Sequence, residues 1–349
     1  MKIAAMTVVA ACILTGTALA AGTSSSGSRD VVLVSHDSFV ISKAVKADFE
    51  HATGLELRLL QTGDAGAALN RALLTSGKPE GDVFFGVDNN LLTRALAGNL
   101  LVPYTSPALR TIDARYELDV SHRLTPVDHS EVCVVYDRAW FARKHVVPPR
   151  SLADLALSRY KGLLVVENPA TSTPGLAFML ATVAKYGGTG WRVYWKRLRA
   201  NDVLTTNGWE EAYEARFSGS SGHKGKRPIV VSYSTDPAAE VFFAGKPLTQ
   251  SPVAVVAGTC FRQIEFAGVL RGAKNPAGAR KLIDFLLSNE FQAGMPLTMF
   301  VLPTRKGVAL PRVYRQFAPA IAHPLELPAK TIGANRDAWI REWTDVVLR

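Results

Sequence analysis

The sequence predicts an α/β protein of two doubly wound lobes joined by a hinge, with a ligand cleft between them. Two apolar strands stop abruptly in polar clusters. Val31-Val32-Leu33-Val34 runs into Ser35-His36-Asp37-Ser38, and Val83-Phe84-Phe85-Gly86-Val87 runs into Asp88-Asn89-Asn90. A continuous apolar strand, then hydrogen-bonding side chains, then a helix places those side chains at the carboxyl edge of a parallel sheet, where open α/β folds bind ligands. Strand and helix patterns alternate over about 31–101 and resume near 162, and 349 residues exceed what one core usually supports.

The elements are expected in this order. Residues 1–20 read as a secretory signal: Lys2, a mostly apolar run from Ile3, and Ala18-Leu19-Ala20 as a small-x-small cleavage site. Val9-Ala10-Ala11-Cys12 competes as a lipoprotein box with a lipid anchor at Cys12, but the apolar run before Cys12 is short, which favours cleavage after Ala20. Residues 21–30 form a flexible Gly/Ser leader. On either reading the chain is secreted across the cytoplasmic membrane and is periplasmic or cell-surface associated. No later stretch approaches the ~18–20 apolar residues of a membrane span.

Strands at 31–34, 56–60 and 82–87 alternate with helices near 41–53, 65–75 and 90–97. A Pro-rich connector through Pro103 and Pro107 leads to a strand at 131–136 and a helix near 152–157 capped by Ser151. A second unit follows, with strands at 162–166 and 228–233 and helices from Pro174 to about Tyr186, near 190–200 and near 209–217. The strand 253–256 and the apolar stretch 264–270 return to the first unit. Helices near 277–287 and 335–348 close the chain, the last docking through Trp339 and Trp343 at i,i+4. Lobe one is then 31–128 with 255–305, and lobe two 129–254 with 306–349. Crossings near 128–136 and 253–261 make two adjacent hinge strands and bring Cys133 near Cys260. An even pair of cysteines in an exported chain favours a disulfide, with two buried thiols as the alternative.

Lys and Arg total 40 against 30 Asp and Glu. The basic runs are Arg192, Lys196, Arg197 and Arg199 on a helix, and His223-Lys224-Gly225-Lys226-Arg227 in a loop. Without a nucleic-acid motif they read as a solvated helix face and a surface loop, so nucleic acid is not an expected partner.

Thr171-Ser172-Thr173-Pro174-Gly175 offers hydroxyls, a first-turn proline and free N–H groups: an anion site, or an ordinary cap. Asp88-Asn89-Asn90 brings a carboxylate and two amides to the facing sheet edge, although a cap is again the ordinary role. With Asp37 and Glu131 at predicted crevice edges, the pocket is acidic in a basic protein, which points to a cationic ligand. Trp209 and Tyr233-Ser234 add aromatic surface, and a desolvated cation over such a face gains roughly 0.5–2 kcal/mol. Tyr213, at helical spacing, is expected in the core.

No GxSxG, HExxH, CxxC, Walker or GxGxxG pattern occurs. His36-Asp37-Ser38 are consecutive and cannot form a triad. His122 and His129 with Asp128 match no closed metal site. No catalytic residue, metal or cofactor is therefore expected, with one arrangement left open: Glu131 and Cys133 on the same face of a strand.

Several segments carry, in order, a resemblance: Ser35-His36-Asp37-Ser38-Phe39, Gly86-Val87-Asp88-Asn89-Asn90-Leu91-Leu92, Val135-Tyr136-Asp137, Asn168-Pro169-Ala170-Thr171-Ser172-Thr173-Pro174-Gly175-Leu176, Gly208-Trp209-Glu210-Glu211-Ala212-Tyr213, Val231-Ser232-Tyr233-Ser234 and Ala338-Trp339-Ile340-Arg341-Glu342-Trp343. From about Val31 to Arg349 the chain resembles the thiamine-binding subunits of bacterial ABC importers. The resemblance implies a type II periplasmic binding protein, a monomer that closes on thiamine or its phosphates and delivers them to a permease driven by an ATPase. Membrane contact would come only through that permease or a lipid anchor.

The resemblance further implies that Asp88 touches the ligand from lobe one and that Ser172 and Thr173 hold the hydroxyethyl or phosphate end. Trp209 and Tyr233 would wall the same region, with Asp37, Asn89 and Ser234 beside them. The chain departs from the family at His36 and Glu131, where tyrosines are found, at Phe300, where a tryptophan is found, and at Ala239, where another aromatic is found. Stacking is reduced and charge gained. Two rival classes share the fold. A thiaminase-I-like enzyme would use Cys133 as nucleophile with Glu131 as base. A binder of ferric iron would show paired late tyrosines, which are lacking, and a polyamine binder would need several acids facing one tunnel.

Overall fold

The computed structural model describes residues 29–222 and 225–349. The expected signal, Cys12 and most of the leader, together with His223 and Lys224, lie outside the described residues. Among the described residues there are ten strands: β1 (Asp30–Ser35), β2 (Glu56–Gln61), β3 (Val83–Asp88), β4 (Leu101–Val102), β5 (Thr125–Asp137), β6 (Leu164–Glu167), β7 (Leu204–Thr206), β8 (Ile229–Tyr233), β9 (Val253–Leu270) and β10 (Leu302–Pro303). They form one sheet in the order β2-β1-β3-β9-β5-β8-β6-β7, with β4 on β9 and β10 on β5.

Each end of that sheet is a parallel trio. β2, β1 and β3 run parallel in lobe one, and β8, β6 and β7 in lobe two. β3 and β6 are buried along their whole length, as continuous apolar strands covered on both faces should be. The trios are joined by two long antiparallel strands. β9 pairs with β3 through Glu265 to Val269 and with β5 through Val253 to Ile264 and beyond, while β5 pairs with β8 through Val132 to Tyr136. The chain therefore crosses between lobes twice, side by side. Between the crossings the register jumps from Val132↔Phe261 to Val134↔Val256. That irregularity contains the Cys133–Cys260 disulfide, whose Cα atoms are 4.1 Å apart. The disulfide expected from the hinge topology is present.

One apolar cluster, with Val31, Phe49, Phe85 and Leu282 fully or almost fully buried, packs the helices Lys43–Thr53 and Pro276–Leu286 on one face of the lobe-one strands. A larger cluster runs through both lobes and includes Trp195 and Trp343. The C-terminal helix Ala329–Val347 sits on the long helix Thr173–Ala200, with Trp343 edge-on to Trp195 at 5.4 Å between ring centroids. Its other side meets lobe one, where Asp337 lies 3.7 Å from Arg94. The basic face of Thr173–Ala200 is not wholly solvated as expected: Arg192 pairs with Glu342, and Arg199 donates to the Val346 carbonyl at 3.0 Å. These contacts fasten the last helix.

Several elements differ from the expectation. The helix near 152–157 is a pair of 3-10 turns, Asp154–Ala156 and Ser158–Tyr160, because Leu157 between them is extended; the cap position of the first is Ala153 and not Ser151, whose Oγ nevertheless accepts from Asp154 N at 3.3 Å. The segment 209–217 contains a π-helical turn, Glu211–Arg216. The expected break near residue 187 is a kink within Thr173–Ala200, where Gly187 and Gly188 take positive φ (55° and 34°) that other residues resist. The stretches 253–256 and 264–270 are one strand, β9. The short strands β4, β7 and β10, which are held by pairing with neighbouring strands, and the helix Asp236–Phe243 were not expected.

Candidate functional site

A cavity of about 500 Å³ opens between the lobes. Lobe one contributes the loop after β1 (His36, Asp37, Ser38), Glu265 on β9, and the segment 298–301 before β10. Lobe two contributes Trp209, Glu210, Tyr213 and Glu214, then Tyr233 at the end of β8, and Asp236, Ala239, Glu240 and Phe243 from the helix Asp236–Phe243.

The aromatic wall is built in lobe two. Trp209 stacks on Tyr213 at 5.1 Å with 16° between planes, and Tyr233 lies 6.1 Å away at 56°. The Trp209 indole N–H donates to Ser232 Oγ at 2.9 Å, which fixes the ring's rotation. Tyr213, expected in the core, is buried and also faces the cavity. Its hydroxyl donates to Glu240 Oε1 at 2.8 Å while Ser221 donates to Oε2 at 2.5 Å. Across the mouth stands Phe300, whose backbone is left-handed (φ 56°) and whose carbonyl accepts from Thr235 Oγ1 at 2.5 Å. Its ring lies 4.8 Å from that of Phe243, so residues of both lobes form one aromatic rim.

The lobe-one wall is charged. His36 Nε2 is 3.5 Å from Glu265 Oε1, and Nδ1 is 3.2 Å from Ser38 Oγ. Burial opposes protonation of His36, yet Glu265, then Asp64 and Asp37, hold its pKa above the ordinary value. Burial and the neighbouring Glu265 push Asp128 well up. Glu210 is raised by burial and then by Glu214, Asp37 and Asp64. Carboxylates that repel one another in a partly desolvated space favour a cation entering it.

His36, Asp37, Trp209, Tyr233 and Phe300 thus line one cavity. Asp88, Asn89, Glu131, Ser172, Thr173 and Ser234 do not line it; most of them form a layer behind it, around Arg262-Gln263-Ile264 of β9. Asp88 caps its own turn, accepting from Asn90 N and Leu91 N at 3.0 Å each, and Gln263 Nε2 reaches both Asp88 Oδ2 (3.4 Å) and Thr173 Oγ1 (3.1 Å). Asn89 accepts from Ile264 N at 2.8 Å and donates to the Arg262 carbonyl at 3.2 Å. Glu131 takes Arg262 Nε at 3.0 Å and Ser234 Oγ at 3.1 Å. This layer ties the hinge strand to both lobes. Sequence reading missed Asp236, Glu240, Phe243, Glu265 and Asp64. A signal existed for one pair: Asp236 and Glu240 are i,i+4 after a strand end, hence on one helix face.

The lobes also touch directly. Asp64, which precedes the helix Ala65–Leu74, accepts from Trp209 N at 2.9 Å and Thr173 N at 3.3 Å, and Ala67 N donates to the Thr171 carbonyl at 2.9 Å. A Cβ on Gly66 would lie 2.6 Å from that carbonyl oxygen and 2.8 Å from its carbon. Because Gly66 and Thr171 sit on opposite lobes, the clash exists only when they close. Gly66→Ala should therefore weaken ligand binding roughly 5- to 150-fold, for an overpacking cost of about 1–3 kcal/mol, with the melting curve little changed. Titration of wild type and variant in parallel checks this, and equal affinities would show that closure at Thr171 is not needed.

A profile described as bacterial extracellular solute-binding protein matches residues 79–321. The chain belongs to that family. It is 31% identical to the thiamine-binding periplasmic protein of Salmonella typhimurium over 325 residues, covering 91% of this chain and 94% of that one. It is 29% identical to the protein of the same description from Escherichia coli over 324 residues, with 91% and 94% covered. Among solved structures, a periplasmic thiamin binding protein superposes with TM-score 0.79 at 28% identity, covering 92% of this chain and 96% of that one. A ferric binding protein from Campylobacter jejuni, at 18% identity and TM-score 0.68 over 90% and 99% of the two chains, shares the fold. This solute-binding protein has the type II periplasmic-binding fold, as its motifs led one to expect. Among the described residues, no helix is long and apolar enough to cross a membrane.

Proposed function

We propose that this solute-binding protein captures thiamine in the inter-lobe cavity and hands it unchanged to an ABC permease, working as a monomer on the periplasmic side of the membrane. One observation carries the reading. A stacked Trp209–Tyr213 pair faces carboxylates of both lobes across a space of ligand size, which suits a flat ring bearing a permanent positive charge. The names of the relatives agree with it. Delivery without chemistry fits the hinge, since Cys133 is bonded to Cys260 and has no thiolate with which to attack.

Titration calorimetry of the exported chain with thiamine tests the proposal. One site per chain is expected, and Trp209→Ala should lower affinity roughly 10- to 100-fold by removing about 1.5–3 kcal/mol of ring contact. Absence of heat would refute it. Six carboxylates facing one cavity also answer what a polyamine requires. Titration with spermidine is therefore the second arm, and preferential spermidine binding would replace thiamine as the assignment.

A further inference from the structure

We propose that capture of the cationic ligand expels a proton from His36, which occupies Glu265 until the ligand arrives, so that the protein binds more tightly as pH rises. This rests on the thiamine reading and adds to it a proton given up for the cation taken.

Among the described residues that line the cavity, His36 is the one basic side chain, against six carboxylic acids. Its Nε2 lies 3.5 Å from Glu265 Oε1 and its Nδ1 lies 3.2 Å from Ser38 Oγ. The ring packs 5.4 Å from that of Phe85 and so close to β3 that a Cβ on Gly86 would lie 2.7 Å from its Cδ2. It is held between an acid and a hydroxyl.

Glu265 is the middle of a rung. Strand register sets it opposite Asp88 on β3 and Asp128 on β5, so three carboxyl groups share one face at the crossing between lobes. Glu265 is the member that lines the cavity. The other titratable groups that act on His36 or the rung are Asp37 on the same loop, Asp64 at the start of the helix Ala65–Leu74, and Glu210 and the Tyr233 phenol of lobe two. None of them is a cation. A positive charge beside the rung is therefore favoured, and His36 supplies it by holding a second proton.

A permanent cation entering the cavity changes that balance, because it takes up Glu265 in place of His36 and two positive charges then meet in a partly desolvated space. The proton on Nε2, which faces Glu265, leaves to solvent, and the hydrogen on Nδ1 stays on the Ser38 side. Binding releases a proton. By linkage, affinity then climbs with pH through the titration of His36 and levels off above it.

Calorimetric titration of the wild-type chain with thiamine in phosphate and in Tris, two buffers of different ionisation heat, counts the protons. About half a proton or more should be released per thiamine at about pH 7, with binding about 3- to 10-fold tighter at about pH 8 than at about pH 6. His36→Gln keeps a polar side chain without the titrating ring, so it should release few protons and bind with nearly equal affinity at both pH values. Proton release undiminished in that variant overturns the role of His36. Thiamine that binds wild type without releasing a proton overturns the inference and leaves the thiamine reading standing, and no binding at all overturns both. If His36→Gln fails to fold, the NMR titration of the His36 imidazole in free and thiamine-saturated wild type decides: saturation should move its midpoint down by about one pH unit or more, and an unmoved midpoint overturns the inference.

Discussion

Replacing Cys133 and Cys260 together with alanine should destabilise the protein by about 2–5 kcal/mol and lower Tm by several degrees. The bond closes a loop with a sequence separation of 127 residues, and chain-entropy reasoning assigns about 4–5 kcal/mol to a loop of that order. Its position adds a second effect. It joins β5 and β9 where the register jumps, at the crossing between lobes, so it limits how far the two hinge strands can separate. Both sulfurs are buried and displaced from the cavity lining, so the loss should appear in denaturant and thermal unfolding before it appears in affinity. An unchanged unfolding midpoint in the double variant would show that the ladder around the irregularity already fixes the hinge unaided.

Stability should also fall as pH rises from about 4 to 7, with Asp88 a main contributor. Burial, then Glu265, raises Asp88 from 3.8 to about 7, against the opposing donors Asn90 and Leu91. The folded chain therefore holds this proton more tightly than the unfolded chain does. The stabilisation is whole below about pH 4, declines through the interval to about pH 7 and is gone above it, a total of about 4 kcal/mol. Asp128, Glu167 and Asp236 are all raised by burial and act in the same direction. His129 opposes them: burial, Arg262 and Arg115 lower it to about 3, so its contribution grows with pH until about 6.5. Chemical unfolding at several pH values, for wild type and Asp88→Asn, isolates the term. The variant should lose about one proton's worth of slope between pH 4 and pH 7. Identical slopes would place the buried proton elsewhere in the layer.

That layer marks where sequence reading fell short. Asp88, Asn89, Glu131 and Ser234 stand at strand edges, as their surroundings in the chain imply. Strand periodicity shows that alternate residues share a face, but not which face meets the cavity. Here these residues turn toward Arg262-Gln263-Ile264 and hold the hinge. His36 and Asp37, in the loop after β1, escape that ambiguity and reach the cavity. The Thr171-Ser172-Thr173 cap is where expected, and its neighbouring donors are met by a carboxylate from the opposite lobe.

Sequence by itself determined the α/β class, the parallel trio of lobe one, the polar strand ends, the paired hinge cysteines and the aromatic identity of Trp209, Tyr233 and Phe300. These follow from local pattern, because strands buried on both faces must be continuously apolar and must give way to polar residues where they emerge. Only the tertiary structure decided which carboxylates face the cavity, that Asp64 bridges the lobes, and that Phe243 completes the rim. Those facts depend on how two lobes meet across β5 and β9, and residues such as Asp64 and Trp209, far apart in the chain, come together through that crossing and not through any local pattern.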